Sequence, residues 1–344
     1  MNEPARFSDK LREFLKNCQG REVDYRYLRQ ELHIDPGSSS WDGLRTHMLN
    51  LVKEKVVKPS GRGDGVFKVI KQVNRVQVFG QKRSRFQPLK LMFPLDFDKG
   101  LEFEFAEHIV LRENDIVLIG GQGNFGKTTI ALGFCGENID MKPVLMGNEY
   151  TIRSKDEITQ EERDEPNPRF YNRLLNMDWI EWVDENGGDK FELLPVRADF
   201  AEWIRRDRLN IIDWINLPAD RLYDISKVMD DIKAELGKGI AIVVLQKGDG
   251  DMARGGQFTK DFTSCELLID KFTDHESILT IGKVKEHTAP VMGRTFVFGI
   301  RDGVKIVDFR EVVKCPACYG KKWKKSGNTS IPCDSCDKTG YVDR

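Results

Sequence analysis

The chain has 344 residues, of which 40% are hydrophobic and 32% charged, a balance typical of a globular protein with one large and one or two small domains. It has no apolar run of membrane-spanning length and no signal-peptide core, so we expect a cytoplasmic protein without membrane association. The net charge is unevenly distributed, since residues 1–90 sum to +9, residues 315–344 to +3 and residues 91–314 to −13. Basic ends favour contact with a phosphate backbone, although solvated surface charge gives the same pattern.

Residues 1–72 have the pattern of a small helical domain that ends in a hairpin. Apolar side chains recur at helical spacing in "SDKLREFLKN", "DYRYLRQELH" and "SSSWDGLRTHMLNLVKEK", and two β-branched runs then flank a turn at Gly61 to Gly65. This order and length resemble a winged-helix domain, in which the third helix enters the major groove and the hairpin contacts the backbone. The resemblance implies that Arg45, Arg62 and Lys68 lie near DNA. Winged-helix domains also serve as protein-docking modules, and that alternative remains open.

Residues 73–90, "VNRVQVFGQKRSRFQPLK", are predicted to form a basic linker, in which Lys82, Arg83 and Arg85 lie close together. The segment is either a solvated tether or an arm that packs on a neighbouring subunit or on phosphate. Its sequence favours neither.

A phosphate-binding loop is predicted after this linker. The sequence "GQGNFGKT" fits G-x-x-x-x-G-K-[ST], follows the apolar run "IVLIG" and precedes the helix start "TTIALGF", a context that disfavours a glycine-rich turn with a chance lysine. Glycines let backbone N–H groups turn inward around a β-phosphate, and the helix N-terminus adds partial positive charge. Lys127 would reach the β- and γ-phosphates of ATP, and the Thr128 hydroxyl would bind Mg²⁺. The predicted nucleotide-binding residues are Gly121, Gln122, Gly123, Asn124, Phe125, Gly126, Lys127, Thr128 and Thr129.

Three further strands are predicted, alternating with helices as in a parallel sheet. The strand in "KPVLMGNEY" is predicted to end in Asn148 and Glu149, the one in "LNIIDWINL" to end in Asp213, and the one in "IAIVVLQKGDG" to end in Gln246 and Lys247. Functional groups of open α/β sheets gather at the carboxyl ends of the strands, so we expect these polar side chains to meet.

Residues 91–312 resemble the ATPase core of the RecA/DnaB superfamily, in the branch that includes KaiC-like proteins and phage or plasmid replicative helicases. The phosphate loop, the "NE" pair, the helix "RFYNRLL" and the polar strand ends carry the resemblance. It implies that Glu149 is the general base, that Asp213 is the Walker B carboxylate holding Mg²⁺ and that Gln246 senses the γ-phosphate. Each also has a plainer interpretation, for example Asp213 as a strand cap and Glu149 as a surface acid.

Two further stretches extend this resemblance. "LTIGKVKEHTAP" is similar to the strand whose basic residues reach the nucleotide of the next subunit, which implies trans-acting roles for Lys283 and Lys285 in a homo-oligomeric ring or filament. The family often has arginine at the second position, and lysine there keeps the charge but loses the bidentate fork. An ordinary solvent-facing strand gives the same alternation. "GDGDMARGGQFTKDF" resembles a mobile nucleic-acid-binding loop that carries Arg254.

Four of the seven cysteines form two C-x-x-C pairs near the C-terminus. They are Cys315, Cys318, Cys333 and Cys336. This spacing predicts a tetrahedral zinc site, because each two-residue knuckle lets both sulfurs face one ion, and a redox pair is the alternative. The flanking "CYGKKW" and "CDKTGY" resemble the knuckles of DnaJ-type and ribbon-type zinc modules. The other three cysteines, Cys18, Cys135 and Cys265, are predicted to be buried thiols.

The segment between the two cysteine pairs combines a tryptophan with a basic cluster. These residues are Lys321, Lys322, Trp323, Lys324 and Lys325. Such a tip suits single-stranded nucleic acid, whose bases stack on the ring while the lysines contact phosphate. A solvated tip with one structural tryptophan is the alternative.

The sequence therefore predicts an α/β protein with a RecA-like P-loop ATPase core, an N-terminal winged-helix domain and, over residues 313–344, a C-terminal four-cysteine zinc ribbon. The expected function is a DNA-stimulated ATPase of the helicase or recombinase type that acts on single-stranded or forked DNA. The alternative is an ATP-switched DNA-binding or loader protein that unwinds nothing. A small-molecule kinase is disfavoured because it would leave the terminal modules without a role.

Overall fold

The computed structural model of the chain describes residues 6–71, 79, 87–155, 161–216, 224–247, 257–326 and 329–344. The predicted linker residues Lys82, Arg83 and Arg85, and Arg254 of the predicted loop, lie outside these ranges. The chain divides into two compact units, Met1–Lys82 and Arg83–Arg344. Each unit is described by itself.

Within the described residues, the N-terminal unit contains three helices and a three-stranded antiparallel sheet of order β1-β3-β2. Its elements are α1 (Phe7–Asn17), β1 (Glu22–Asp24), α2 (Tyr25–Glu31), α3 (Ser39–Lys53), β2 (Val57–Pro59) and β3 (Val66–Val69). Helix α3 begins where the Ser38 hydroxyl accepts a hydrogen bond from the Trp41 N–H at 3.2 Å. The helices and the β2–β3 hairpin lie where the sequence predicts them. Strand β1 is too short for a periodic pattern and was not expected.

The larger unit is built on a sheet that is mostly parallel. Its strands and helices are β4 (Leu95–Asp96), β5 (Leu101–Glu102), β6 (Ile116–Gly121), α4 (Lys127–Glu137), β7 (Val144–Met146), β8 (Thr151–Lys155), β9 (Glu162–Pro166), α5 (Pro168–Asn176), β10 (Glu192–Leu194), β11 (Leu209–Ile215), α6 (Ile225–Glu235), β12 (Ile240–Gln246), α7 (Gln257–Phe262), β13 (Cys265–Lys271), β14 (Glu276–Val284), β15 (Thr295–Arg301), β16 (Lys305–Lys314), β17 (Trp323–Ser326), β18 (Thr329–Pro332) and β19 (Tyr341–Asp343). Small antiparallel ribbons pair β4 with β5, β8 with β9 and β17 with β18.

The strand order of the large sheet brings the predicted site strands together. Among the described residues the order is β10-β7-β11-β12-β6-β13-β14-β15-β16-β19. Pairing is parallel from β10 to β13 and antiparallel from β13 to β19. The carboxyl ends of β7, β11, β12 and β6 therefore share one edge. The antiparallel half was not predicted from the sequence.

Both faces of the parallel half are covered, which explains why its strands are continuous apolar runs. Along β6, Val117 and Ile119 join one hydrophobic cluster while Ile116 and Leu118 join another on the opposite face. Helix α4 packs in the first cluster and α6 in the second. A rigid, fully buried β6 thus carries the loop that follows it.

The cysteine-bearing segment is joined to this sheet through its last strand. Strand β19 pairs antiparallel with the end of β16, where Val312 lies opposite Asp343. The β17–β18 ribbon projects between the two cysteine pairs. Within the residues described, no helix is long and apolar enough to cross a membrane.

Candidate functional site

The residues of the predicted phosphate loop connect β6 to α4. Gly126 adopts φ +95°, a backbone conformation that favours glycine, and a Cβ on it would displace the end of the Ile300 side chain, 2.6 Å away. Lys127 is the first residue of α4, and its ammonium donates to the Gln122 carbonyl at 2.5 Å. The lysine is thus held across the loop, with the N-terminus of α4 directed toward the same space.

Asp213, on β11, is buried beside the phosphate loop. Its carboxylate Oδ2 accepts a hydrogen bond from the Tyr150 hydroxyl at 2.8 Å, and the carboxylate also accepts a hydrogen bond from the Thr128 side chain. The end of β7 approaches closely here, because a Cβ on Gly147 would lie 1.9 Å from the Asp213 carbonyl oxygen. A glycine at that position therefore lets β7 and β11 bring Glu149 and Asp213 to one edge.

Burial sets the electrostatics of this carboxylate and of the loop lysine. Desolvation raises the pKa of Asp213, and the hydrogen bonds from Thr128 and Tyr150 only partly oppose it. Desolvation also lowers the pKa of Lys127, opposed by the charges of Asp213 and Glu149. Burial therefore disfavours the charged forms of both groups, and a ligand of opposite charge beside each would reduce that cost.

A cavity of about 410 Å³ opens between these groups, which is within the usual range for small-molecule sites. Of the residues predicted from sequence, it is lined by Gly123, Asn124, Gly126, Lys127, Thr128, Thr129, Glu149, Asp213 and Gln246. Glu149 is exposed, whereas Asp213 is 3% exposed. The structure thus brings together residues from four separate parts of the chain. This clustering makes the cavity the candidate site.

Four lining residues were not predicted as members of the site, namely Arg173, Trp214, Ile300 and Gly303. The turn between β15 and β16 reaches the loop, because the Thr129 hydroxyl donates to the Gly303 carbonyl at 3.0 Å. Asn176, at the end of α5, donates to the neighbouring Asp302 carbonyl at 3.0 Å. Each of these contacts joins residues more than a hundred positions apart, so no local sequence pattern predicts it.

Gln246 and its neighbour Lys247 lie at the end of β12, next to the phosphate loop. Lys247 donates its backbone N–H to the Gly121 carbonyl at 2.8 Å, and its buried ammonium pairs with Asp270 at 2.6 Å. Only Gln246 lines the cavity. The predicted sensor thus sits beside the phosphate loop, while the charge of Lys247 is already neutralised by Asp270.

Lys283 and Lys285 do not line this cavity. They lie at the end of β14, where Val284 is paired with Cys265, the first residue of β13, and so at the amino end of the parallel strands. The Lys283 ammonium donates to the Lys260 carbonyl, and Lys285 is exposed. Within one chain, the two lysines are therefore on the opposite edge of the sheet from the phosphate loop.

The four C-terminal cysteines form a second candidate site. All four are buried, and their sulfurs lie within 4.8 Å of one another. Two sulfur pairs are 3.9 Å (Cys315–Cys333) and 3.7 Å (Cys318–Cys336) apart. Tetrahedral zinc with Zn–S bonds of about 2.3 Å requires sulfur separations of about 3.8 Å, whereas a disulfide requires about 2 Å. The donor set and its spacing fit a metal such as zinc.

The basic tip of this segment is exposed. Tyr319 and Trp323 are 77% and 52% exposed, and they line a shallow basin together with Lys321, Lys324 and Lys325. Lys324 also donates to the Ser335 hydroxyl at 2.9 Å. Two aromatic rings and several cations therefore share one surface, of which the sequence had singled out only one ring.

The basic residues predicted in the N-terminal unit are exposed as well. Arg45 is on the outer face of α3, and Lys68 is on the outer face of β3. Arg62, between β2 and β3, pairs with Glu22 at 3.3 Å. An acidic partner beside Arg62 reduces the positive potential that this side chain offers to a phosphate.

Comparison with known proteins supplies no assignment for either candidate site. The chain matches no protein-family model, and no curated protein matches it significantly. Function is therefore inferred from the geometry of the two sites.

Proposed function

We propose that the chain is a P-loop ATPase with a RecA-like core, flanked by a winged-helix domain and a zinc ribbon. One observation carries the proposal: Lys127, Thr128, Asp213 and Glu149 line a single cavity at the carboxyl edge of a parallel sheet. A phosphate-binding loop next to a buried carboxylate and an exposed one is the arrangement that nucleotide hydrolysis needs.

In the proposed reaction, Lys127 and the loop N–H groups bind the β- and γ-phosphates of ATP and stabilise the charge that develops during transfer. Glu149 accepts a proton from water, whose oxygen bonds to the γ-phosphorus while the bond to the β-phosphate oxygen breaks, which gives ADP and phosphate. Thr128 and Asp213 would hold Mg²⁺, which neutralises phosphate charge when bound. Gln246, which lines the cavity, would contact the γ-phosphate and relay its presence along β12.

Asp213→Asn is expected to stabilise the nucleotide-free protein while it removes hydrolysis. A carboxyl whose pKa is raised by burial loses stability as the pH rises from its unfolded pKa through its folded pKa, so the ionised form is a cost at neutral pH. Removing that cost should raise the unfolding midpoint, by about 2–4 °C for each 1 kcal/mol in a unit of this size. Calorimetry over a pH series that rises from the unfolded pKa of about 4 should show the gap from wild type widening with pH.

The exposed Asp230→Asn, on α6, is the matched control and should leave the midpoint unchanged. An Asp213→Asn protein that is less stable than wild type throughout this range would show that the carboxylate is a net stabilising group.

We further propose that ATP turnover is coupled to DNA. The basic balance of residues 315–344, with Tyr319 and Trp323 exposed beside the lysines, supports a single-strand-binding surface. The exposed Arg45 and Lys68 support a second contact with DNA from the N-terminal unit. The function supported best is a DNA-stimulated ATPase of the helicase or recombinase type.

Single-stranded DNA should accelerate ATP turnover by the wild-type chain, and replacing Lys321, Lys322, Lys324 and Lys325 by glutamine should weaken both binding and acceleration. Each lost phosphate contact should reduce the slope of log affinity against log salt by about 0.7. Trp323→Ala should weaken binding about tenfold without changing that slope, because it removes stacking and not charge. Fluorescence anisotropy over a salt series measures both effects, with the exposed Lys338→Gln of the same segment as control. Unchanged slopes would place DNA binding elsewhere on the chain.

An ATP-switched loader is the second candidate. Lys283 and Lys285 lie away from the cavity of their own chain, so a single subunit shows no contact between these lysines and the nucleotide of the kind that a ring-shaped motor uses. Strand displacement on forked DNA separates the two functions. ATP-dependent displacement identifies a helicase, whereas DNA-stimulated hydrolysis without displacement identifies the loader.

A further inference from the structure

Arg173 is a second cation in the candidate nucleotide cavity, in addition to Lys127. Helix α5 positions it, because Phe170 and Leu174 on the adjoining face are buried and the Phe170 ring packs 4.8 Å from the Tyr150 ring. Asn176 fixes the end of the same helix to the Asp302 carbonyl. A Cβ on Gly303 would lie 3.8 Å from Arg173 Nε, so the guanidinium runs beside the turn that contacts Thr129.

Within the part of the chain that the structure describes, no carboxylate forms an ion pair with Arg173. Among the described residues its side chain has no ion-pair or hydrogen-bond partner. Other half-buried arginines of this unit are paired with carboxylates, for example Arg294 with Glu311 at 2.7 Å and Arg310 with Glu276 at 2.7 Å. A half-buried guanidinium without a counter-ion, facing a cavity, is poised for an anionic ligand.

Helix α5 brings Arg173 to the carboxylate side of the cavity. The Phe170 ring of this helix packs against the ring of Tyr150, whose hydroxyl donates a hydrogen bond to Asp213. The water-activating Glu149 precedes Tyr150 directly in the chain. The transferring phosphate of ATP would occupy this side, between Glu149 and Lys127.

We infer that Arg173 is a catalytic residue that contacts the terminal phosphate of bound ATP from within the same chain. The inference rests on the proposed ATPase function. A guanidinium there binds two phosphate oxygens through its planar fork, and its contact strengthens as charge shifts onto the leaving and transferring oxygens. A transition-state cation is then available without a second subunit, and Lys283 and Lys285 are not its only source.

Steady-state hydrolysis and nucleotide binding by Arg173→Ala, Arg173→Lys and the control Arg169→Ala test this inference. Arg169 is exposed on the same helix and does not line the cavity. Arg173→Ala should lower kcat about a hundredfold or more while its affinity for ADP stays close to that of wild type. Arg173→Lys keeps the charge and the aliphatic stem but loses the fork, so it should recover only part of the rate.

Each outcome separates the inference from the proposed function. Wild-type kcat in Arg173→Ala overturns the inference and leaves the ATPase in place. An unchanged kcat with equally weakened binding of ATP and ADP also overturns it, because the contact is then made to the shared part of the nucleotide. No hydrolysis by the wild-type protein removes the proposed function itself, whereas an equal loss of rate in Arg169→Ala overturns only the assignment to Arg173. Should Arg173→Ala not fold, a wild-type kcat in Arg173→Lys overturns the inference and a reduced kcat supports it.

Discussion

Lys127→Ala is expected to lower ATP turnover at least about a hundredfold while leaving the fold intact. The ammonium lies at the cavity and is held by the Gln122 carbonyl, so its removal takes charge from the transferred phosphate and no contact from the core. Phosphate release measures turnover, and calorimetry checks the fold. Lys227→Ala, exposed on α6, is the matched control. Full activity in Lys127→Ala would reject the placement of the nucleotide at this loop.

The same variant tests whether the site is completed by a neighbour. Mixing Lys127→Ala, which keeps Lys283 and Lys285, with a Lys283→Ala/Lys285→Ala protein, which keeps its phosphate loop, should restore turnover at mixed interfaces if the lysines act in trans. ATP should then also strengthen association, because it binds only the assembled state. A Lys283→Ala/Lys285→Ala protein that is already active without the partner variant, with wild-type turnover per chain independent of concentration, would mean that each chain carries a complete site, with Arg173 as its second cation.

Removing the metal from the four-cysteine site is expected to unfold residues 315–344, including the edge strand β19, and to leave the rest of the large sheet folded. Binding of structural zinc to such a site is worth about 10–16 kcal/mol, and this energy is also folding energy because the ligand set does not exist in the unfolded segment. Metal analysis should find one zinc per chain. Hydrogen exchange after chelation should show loss of protection in the segment and retained protection in β6 and β12.

Cys333→Ser should reproduce the effect of chelation by removing one of the four ligands. Cys18→Ala is the control, because Cys18 is buried in the core of the N-terminal unit, outside the four-cysteine group. A metal-free segment whose amides remain protected would contradict the assignment.

The elements with local signals could be predicted from the sequence. The phosphate loop and the cysteine pairs have fixed spacings, because a phosphate or a metal ion imposes its own geometry on neighbouring residues. Helices α1 to α3 were predictable from apolar spacing. Asp213 was predictable because polar residues at the end of an apolar run mark the edge of a parallel sheet.

The remaining parts of the site depend on contacts between distant segments. Arg173 belongs to the helix "RFYNRLL" that carries part of the resemblance, but nothing local shows that its side chain lies beside Gly303 in the cavity. In the sequence, Tyr150 is indistinguishable from an ordinary core aromatic residue. Only the structure shows that its hydroxyl donates a hydrogen bond to Asp213. Strands β14 to β16 alternate buried and exposed side chains like any half-buried strand. Their sequence therefore does not show that they continue the parallel sheet in antiparallel order.

Strand β16 begins at the turn that touches the phosphate loop and ends at Lys314, next to Cys315. Ten residues of strand span roughly 30 Å, several times the Debye length of about 8 Å in physiological salt. The electrostatic effect that a phosphate bound at the turn would have on the lysine tip is therefore largely screened by salt. If the proposed nucleotide site and the lysine tip are coupled, the signal would have to travel as a displacement of β16 through its hydrogen bonds with β15 and β19.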